Sequence, residues 1–190
     1  MPEHLMLIGM MGAGKTTVGR LVAGRLRRPF HDSDEEILAR TGMSVPEIFA
    51  ARGEAAFRAE ERAVLAAALA SPVPSVIAVA GGAVFDPDSR RRVRRGGVVV
   101  WLRARPATLA GRVGSGAGRP LLEHDPAGTM ALLDARRRPV YRSLADARVD
   151  VDGAPPLLVA SRVTSLARRL LAERAGEAPG CPALSGAASS

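Results

Sequence analysis

One short segment near the N-terminus restricts the possible folds of this chain more than any other feature. The segment, Gly9 to Thr16, reads GMMGAGKT and matches the pattern G-x-x-x-x-G-K-[ST]. An apolar run, Leu5 to Ile8, precedes it, and a stretch with helical apolar spacing, Thr16 to Leu26, follows it. A strand, a glycine-rich turn and a helix start in this order predict a loop whose backbone N–H groups surround a phosphate.

The residue types of this loop indicate a nucleoside triphosphate as the ligand. Lys15 is expected to reach the transferred phosphate, and the Thr16 hydroxyl is expected to ligate Mg²⁺. The residues expected to bind the nucleotide here are Gly12, Ala13, Gly14, Lys15, Thr16 and Thr17. The alternative is a glycine-rich turn without a ligand. Because strand, loop, lysine and helix coincide, the pattern favours nucleotide binding.

The distribution of basic residues supports a special position for Lys15. Of the 27 lysine and arginine residues, every one except Lys15 is arginine. A bias that removed lysine elsewhere marks this position as one where a guanidinium cannot replace an ammonium. The formal net charge of +8 suits a protein that binds ATP and an anionic metabolite as well as it suits a nucleic-acid-binding protein. Charge alone therefore does not choose between these classes.

The length of 190 residues fits one domain, which we place at residues 1–175. Small and polar residues without periodicity predict a disordered tail over residues 176–190. The lone cysteine, Cys181, excludes a disulfide within the chain and indicates a cytoplasmic protein. No signal-peptide pattern and no apolar run of membrane-spanning length occurs, so no membrane partner is expected.

Apolar runs bounded by Gly, Pro or Asp alternate with helical patterns along the chain. This alternation predicts an α/β sandwich of three layers around a parallel sheet of five strands. The predicted strands are Leu5–Ile8, Pro29–His31, Ser75–Ala80, Val98–Leu102 and Arg148–Val151. The predicted helices are Thr16–Leu26, Glu35–Arg40, Val45–Arg52, Glu54–Leu69, Pro87–Arg95, Pro106–Arg112, one leading into Arg137 and Tyr141, and Pro156 to about Arg174.

Two features narrow the choice among proteins with such a loop. Because Lys15 is the only lysine, the base-reading motif N-K-x-D of GTPases is absent. After the strand Ser75–Ala80, where many ATPases carry an acidic metal-orienting residue, the chain has Gly81-Gly82.

Asp32 and Asp34 follow the second strand and are the candidate carboxylates for metal binding and proton transfer, at the same sheet edge as the phosphate loop. One can orient metal-bound water and the other can accept a hydroxyl proton, and capping of the next helix is the alternative role.

Several short motifs, taken together, resemble the shikimate kinase family. They are Asp32-Ser33-Asp34, Phe57-Arg58-Ala59-Glu60-Glu61, Gly81-Gly82-Ala83-Val84, Gly118-Arg119-Pro120-Leu121-Leu122 and Arg137-Arg138-Pro139-Val140-Tyr141. They occur in the family's order and spacing, from about His4 to about Glu173. The resemblance implies the P-loop NTPase fold with the sheet order 2-3-1-4-5. It also implies an ATP-dependent kinase that phosphorylates the 3-hydroxyl of shikimate.

The resemblance implies roles for the matching residues of an acceptor site. Asp32 would lie near the water shell of Mg²⁺, and Asp34 would contact the acceptor hydroxyls. Arg58 and Arg137 would grip the acceptor carboxylate, for which planar guanidinium groups are suited, and the turn Gly81–Gly82 would touch the ring. Without the resemblance, Arg58 would be interpreted as a solvated residue of its helix.

Residues 111–125 contain four glycines around Arg112 and Arg119, which predicts a mobile segment able to close over a nucleotide. In the family this segment is the lid. By the resemblance, Arg119 would reach the transferred phosphate and Arg112 would stack on adenine. An ordinary position in a flexible loop is the alternative for Arg112.

One residue departs from the family pattern. Ala80 stands where the family usually has the first of three glycines, so its methyl group would shift the pocket if the backbone required a positive φ.

Two other functions are alternatives to shikimate phosphorylation. A kinase for another small cyclitol or sugar acid, such as gluconate, is the enzymatic alternative, and the pair Arg58 and Arg137 favours shikimate. A basic ATP-switched module that binds nucleic acid is the second alternative. Trp101 and Tyr141 lack the exposed, interleaved pattern of such proteins, and we expect a monomer without nucleic acid.

Overall fold

A computed structural model of the chain describes residues 3–113 and 125–176. Its strands are β1 (His4–Ile8), β2 (Phe30–Asp32), β3 (Val76–Ala78), β4 (Gly97–Arg103) and β5 (Ala147–Asp150). The paired strands are parallel and lie in the order β2-β3-β1-β4-β5, which confirms the expected order. β1 is central, with Leu5 in register with Val76 of β3 and with Val98 of β4.

Helices surround this sheet. They are α1 (Lys15–Leu26), α2 (Ser33–Thr41), α3 (Val45–Ala70), α4 (Pro87–Gly96), α5 (Pro106–Val113), α6 (Pro126–Leu144) and α7 (Pro156–Ala175), with a short 3-10 helix at Ala83–Phe85. α1 packs against α7, and α3 packs against α4. Among these described helices, none combines the length and the apolar character that crossing a bilayer requires.

The central strands are apolar because a parallel sheet covered by helices is buried on both faces. Every residue of β1 is buried, and so is every residue of β4 before Arg103. Trp101 of β4 contacts Tyr141 of α6, with ring centroids 6.0 Å apart. The parallel arrangement places the C-terminal ends of β1, β2 and β3 at one edge, where the functional residues lie.

α3 consists of two helical parts that meet at Gly53. The φ of Gly53 is 77° and its ψ is 174°, a conformation that glycine adopts more readily than other residues. The helices predicted at Val45–Arg52 and Glu54–Leu69 are thus confirmed as two parts of one element. α2 and α3 share a second hydrophobic cluster, separate from the main core, which consists of Ile37, Ile48, Phe57 and Val64.

Two element ends near the sheet edge differ from the prediction. α2 begins at Ser33 because the Asp32 side chain caps it, accepting a 3.0 Å hydrogen bond from the Asp34 N–H. β3 ends at Ala78 because the Ala80 N–H donates to the Ser33 hydroxyl, at 3.4 Å, in place of a neighbouring strand. Residues 114–124 of the predicted lid and 177–190 of the predicted tail lie outside the described residues.

Candidate active site

The phosphate loop leads from β1 into α1 as the sequence predicts. Gly12 and Gly14 have φ values of 78° and 88°, which residues with a side chain rarely adopt. These glycines turn the chain so that α1 begins at Lys15. The Lys15 ammonium donates to the carbonyl oxygens of Gly9 and Met10, at 3.0 and 3.2 Å, and so lies across the loop. The first turn of α1 carries no acidic residue, so the positive end of the helix dipole is available to an anion.

The Asp32 carboxylate joins the phosphate loop to the end of β2. The Thr16 hydroxyl donates a 2.6 Å hydrogen bond to one carboxylate oxygen, and the Asp34 N–H donates to the other at 3.0 Å. Asp32 is therefore the N-cap of α2 and, at the same time, the partner of the predicted metal ligand. Asp34 follows in the first turn of α2, where its side chain is exposed.

These oxygens fit a magnesium ion whose coordination is completed by a nucleotide. Within residues 3–113 and 125–176, no group of three or more His, Cys, Asp or Glu residues could hold a metal ion by itself. Mg²⁺ at nucleotide sites usually takes one or two protein oxygens and otherwise phosphate oxygens and water. Thr16 and Asp32, in contact with each other, supply such a pair.

Two guanidinium groups from different helices face the turn Gly81–Gly82. A Cβ at Gly82 would lie 2.1 Å from Nη1 of Arg58, and a Cβ at Gly81 would lie 2.9 Å from Nη1 of Arg137. Neither glycine could carry a side chain without displacing a guanidinium. Arg137 is only 7% exposed, and its guanidinium carbon lies 5.9 Å from the Phe85 ring centroid. The structure therefore brings together the groups predicted to bind the acceptor.

Glu61 ends the motif Phe57-Arg58-Ala59-Glu60-Glu61, but the sequence analysis assigns it no role of its own. Arg58 donates from Nη1 to Glu61 at 2.5 Å and from Nη2 to Glu54 at 2.9 Å. Burial opposes the Arg58 charge, but the contacts with Glu61 and Glu54 outweigh it and raise the pKa of Arg58. Burial also raises the pKa of Glu61, against the lowering effect of Arg58. In the sequence, the pair Glu60-Glu61 looks like the solvated surface of a helix. The spacing of three residues between Arg58 and Glu61 is the one signal that Glu61 pairs with Arg58.

A cavity of about 840 Å³ extends from the phosphate loop to the paired arginines. Its lining includes Gly12, Ala13, Gly14, Lys15, Thr16, Thr17, Asp32, Asp34, Arg58, Gly81, Gly82, Arg112 and Arg137. Arg119 lies outside the described residues. Ala80 also lines the cavity, and Arg27 is the one described non-glycine residue with positive φ, so alanine at position 80 meets no backbone strain.

Arg112 and the segment after β5 form the other end of this cavity. Arg112 donates to the carbonyl oxygens of Val151, at 2.8 Å, and of Gly12, at 3.3 Å. Val151, Ala154 and Pro156 line the cavity beside it and offer an apolar surface to a base. The sequence does not indicate these residues, since small apolar residues after a strand look like core. Stacking of Arg112 on adenine stays a prediction.

A phosphate loop and two guanidinium groups in one cavity are typical of a P-loop small-molecule kinase. The sequence model of shikimate kinase matches residues 11–168. The chain belongs to the shikimate kinase family, and the resemblance predicted from the motifs is confirmed.

Individual relatives agree with this assignment. A shikimate kinase of Pseudomonas syringae pv. tomato is 45% identical over 158 residues, which cover 83% of this chain and 91% of that protein. The structure of shikimate kinase from Acinetobacter baumannii in complex with shikimate superposes with a TM-score of 0.80 at 33% identity, covering 94% of this chain and 96% of that one. A gluconokinase from Sinorhizobium meliloti reaches a TM-score of 0.58 at 19% identity, over 93% of this chain and 98% of that one, which shows a common fold alone.

Proposed function

We propose that the chain transfers the terminal phosphoryl group of ATP to the 3-hydroxyl of shikimate, giving shikimate 3-phosphate and ADP. The observation that carries this proposal is the approach of Arg58 and Arg137 to the turn Gly81–Gly82, in the same cavity as the phosphate loop. Two planar guanidinium groups suit one carboxylate, because each can donate paired hydrogen bonds. The Acinetobacter relative binds shikimate, which supports the same acceptor for this chain.

The phosphate loop binds and orients ATP. Backbone N–H groups between Gly12 and Thr17 surround the phosphates, and Lys15 exchanges its loop carbonyls for the transferred phosphate. Mg²⁺, when bound, neutralises charge on the phosphate oxygens. Thr16 would ligate this ion and Asp32 would orient its waters, while Arg112 lies at the end of the cavity proposed for adenine. Arg119 reaches the transferred phosphate, a role that rests on the family resemblance.

The acceptor side fixes a small acid so that one hydroxyl faces the phosphates. Arg58 and Arg137 hold the carboxylate, and Asp34 aligns the attacking hydroxyl and takes its proton. Glu61 keeps the Arg58 guanidinium in place and offsets its charge. Because Arg58 and Arg137 come from α3 and α6, they fix both the position and the orientation of the acid.

We further propose that residues 1–175 act as one catalytic domain, as a monomer in the cytoplasm, without a nucleic-acid or membrane partner. A main core that includes residues of all the described helices from α1 to α7 except α2 supports a single domain. The lone Cys181 is consistent with a reducing compartment. Trp101 and Tyr141 are buried and so provide no stacking surface for nucleic-acid bases.

The test is a comparison of kcat/KM for ATP consumption with shikimate, with gluconate and with the amide of shikimate. The amide keeps the ring and hydroxyls but lacks the charge that the arginines bind. We expect shikimate to exceed the amide by about tenfold or more, since a charge-assisted hydrogen bond is worth about 1.5–3 kcal/mol. A higher value with gluconate would support a sugar-acid kinase, and equal values for shikimate and its amide would contradict the carboxylate site. Removal of Mg²⁺ with a chelator is expected to abolish turnover.

A further inference from the structure

The Tyr141 hydroxyl is buried next to the acceptor site without being a predicted ligand of the acceptor. Tyr141 has no exposed surface, and its hydroxyl donates a 2.9 Å hydrogen bond to the carbonyl oxygen of Gly81. It follows Arg137 by one helical turn on α6, so both side chains project from the same face. Burial raises the pKa of Tyr141 to about 12, which keeps the hydroxyl protonated and able to donate.

This hydrogen bond determines the direction of one peptide unit. The described residues contain no cis peptide bond, so the N–H of Gly82 points opposite to the carbonyl of Gly81. With that carbonyl directed at the buried Tyr141, the Gly82 N–H is directed away from it. Gly81 and Gly82 both line the cavity that holds the acceptor.

A second hydroxyl holds the other end of the same segment. The Ser33 hydroxyl donates to the Ala78 carbonyl oxygen at 3.2 Å and accepts from the Ala80 N–H at 3.4 Å. Ser33 is 5% exposed and lies between Asp32 and Asp34. The segment from Ala78 to Gly82 is therefore held at its start by Ser33, on α2, and near its end by Tyr141, on α6.

The space around Gly81 shows what a displacement would change. A Cβ on this residue would lie 2.9 Å from Nη1 of Arg137, 3.2 Å from the Tyr141 hydroxyl and 3.3 Å from the Gly9 carbonyl oxygen. The same carbonyl oxygen of Gly9 accepts from the Lys15 ammonium at 3.0 Å. Gly81 thus faces Arg137 across a narrow space, and a movement of its backbone would change the room left for that guanidinium.

We propose that Ser33 and Tyr141 are positioning residues that clamp the segment Ala78–Gly82 and thereby determine how tightly the acceptor binds. We call the two hydroxyls the hydroxyl clamp. This inference rests on the proposed function, because it assumes that the acceptor occupies the cavity beside the turn Gly81–Gly82. Neither hydroxyl takes part in the chemistry. Ser33 acts through the backbone that it holds, and Tyr141 acts through the backbone of Gly81 and through its interaction with the Arg137 side chain.

The test separates acceptor binding from nucleotide binding and from stability. Tyr141→Phe and Ser33→Ala each remove one hydroxyl, and KM for shikimate is expected to rise about fivefold to tenfold, the effect of a lost buried hydrogen bond. KM for ATP is expected to remain unchanged. Thr164→Val is the matched control, because the Thr164 hydroxyl is also buried and donates to the Ala160 carbonyl oxygen at 2.7 Å, on α7.

Each outcome decides for or against the hydroxyl clamp. An unchanged KM for shikimate in Tyr141→Phe, or an equal rise in both KM values, would overturn it. If Tyr141→Phe does not fold, Ser33→Ala decides, and Ser33→Thr, which retains a hydroxyl, is expected to restore the wild-type KM. Failure of the wild-type protein to phosphorylate shikimate would instead contradict the proposed function, and is recognised by the absence of turnover before any variant is compared.

Discussion

The hydroxyl of Thr16 and the carboxylate of Asp32 form a 2.6 Å hydrogen bond between the first turn of α1 and the end of β2. The two residues are distant in sequence, and the contact forms because both elements reach the same edge of the sheet. The protein oxygens proposed to serve Mg²⁺ are therefore brought together by the fold itself.

Asp32→Asn tests this pair. The amide keeps an oxygen that can cap α2 but loses the charge that orients metal-bound water. We expect a higher Mg²⁺ requirement and a loss of about 10- to 100-fold in metal affinity or kcat, the usual effect of removing a group that supports a metal site. Titration of activity with Mg²⁺ measures both.

The control for Asp32→Asn is Asp86→Asn. Asp86 also caps a helix, α4, by accepting from the Ser89 N–H at 2.8 Å. This variant is expected to retain the Mg²⁺ dependence of the wild type. An equal change in both variants would show that capping, and not metal binding, explains the effect.

Lys15→Ala removes the ammonium that is proposed to follow the transferred phosphoryl group. We expect a loss of about 100-fold or more in kcat with little change in melting temperature, since the hydrogen bonds from Lys15 to the loop carbonyls are partly exposed to solvent. Lys15→Arg is expected to remain impaired, because a planar guanidinium does not match the compact ammonium. Near-normal turnover of a folded Lys15→Ala protein would contradict the assignment of the phosphate loop.

The sequence predicts those parts of the site whose residues form a contiguous motif. The loop Gly9 to Thr16 specifies its own backbone, because glycines, lysine and helix start are contiguous. The order of the strands came from resemblance alone, since pairing between distant segments leaves no periodic signal. The motif contains Glu61 but does not reveal its role, and the residues after β5 carry no signal, because burial at these positions depends on elements that are remote in sequence. The same reasoning applies to Tyr141, whose partner Gly81 lies in the turn after β3.

Arg137→Ala tests the carboxylate site. Since Arg137 is buried beside Gly81, its loss is expected to raise KM for shikimate by about 10- to 100-fold, with a much smaller effect on KM for ATP. Arg58→Ala is expected to act in the same direction. Arg142→Ala, which removes an exposed arginine from the same helix as Arg137, is the control and is expected to behave as wild type. Unchanged use of shikimate by both site variants would show that the acceptor is not held by its carboxylate.

Asp34→Asn is expected to leave a different kinetic signature from the arginine variants. The amide keeps the shape of the side chain but cannot accept the hydroxyl proton, so kcat falls by about 100-fold or more while acceptor affinity changes less. Pre-steady-state measurement of product formation separates the two quantities. A rise in KM without a fall in kcat would assign Asp34 to binding only.

The buried side chain of His4 is expected to make the free energy of unfolding depend on pH. Its side chain is buried, and its Nδ1 accepts a 3.2 Å hydrogen bond from the Ser75 N–H, so this nitrogen must remain unprotonated. Burial lowers the pKa of His4 below its ordinary value of 6.5. As the pH falls, His4 therefore binds a proton in the unfolded chain at a higher pH than in the folded chain. The free energy of unfolding should fall as pH decreases below about 6.5, and the contribution is fully present above that value.

Urea unfolding between roughly pH 8 and pH 5 measures this dependence. His4→Asn supplies an acceptor for the Ser75 N–H that does not titrate, and is expected to flatten the curve below about pH 6.5. A curve for His4→Asn that parallels the wild type would contradict this explanation.

The second hydrophobic cluster gives α2 and α3 a cooperativity of their own. Ile37 of α2 and Ile48 of the first part of α3 pack with Phe57 of the second part, outside the main core. Displacing α2 and the first part of α3 therefore breaks the contacts of this small cluster and leaves those of the main core. Amide hydrogens of α2 and the first part of α3 should exchange with solvent through local opening, whereas those of β1 and β4 should exchange only through global unfolding. Local opening of the unit that carries Asp34 is thereby uncoupled from the energy that keeps the sheet intact.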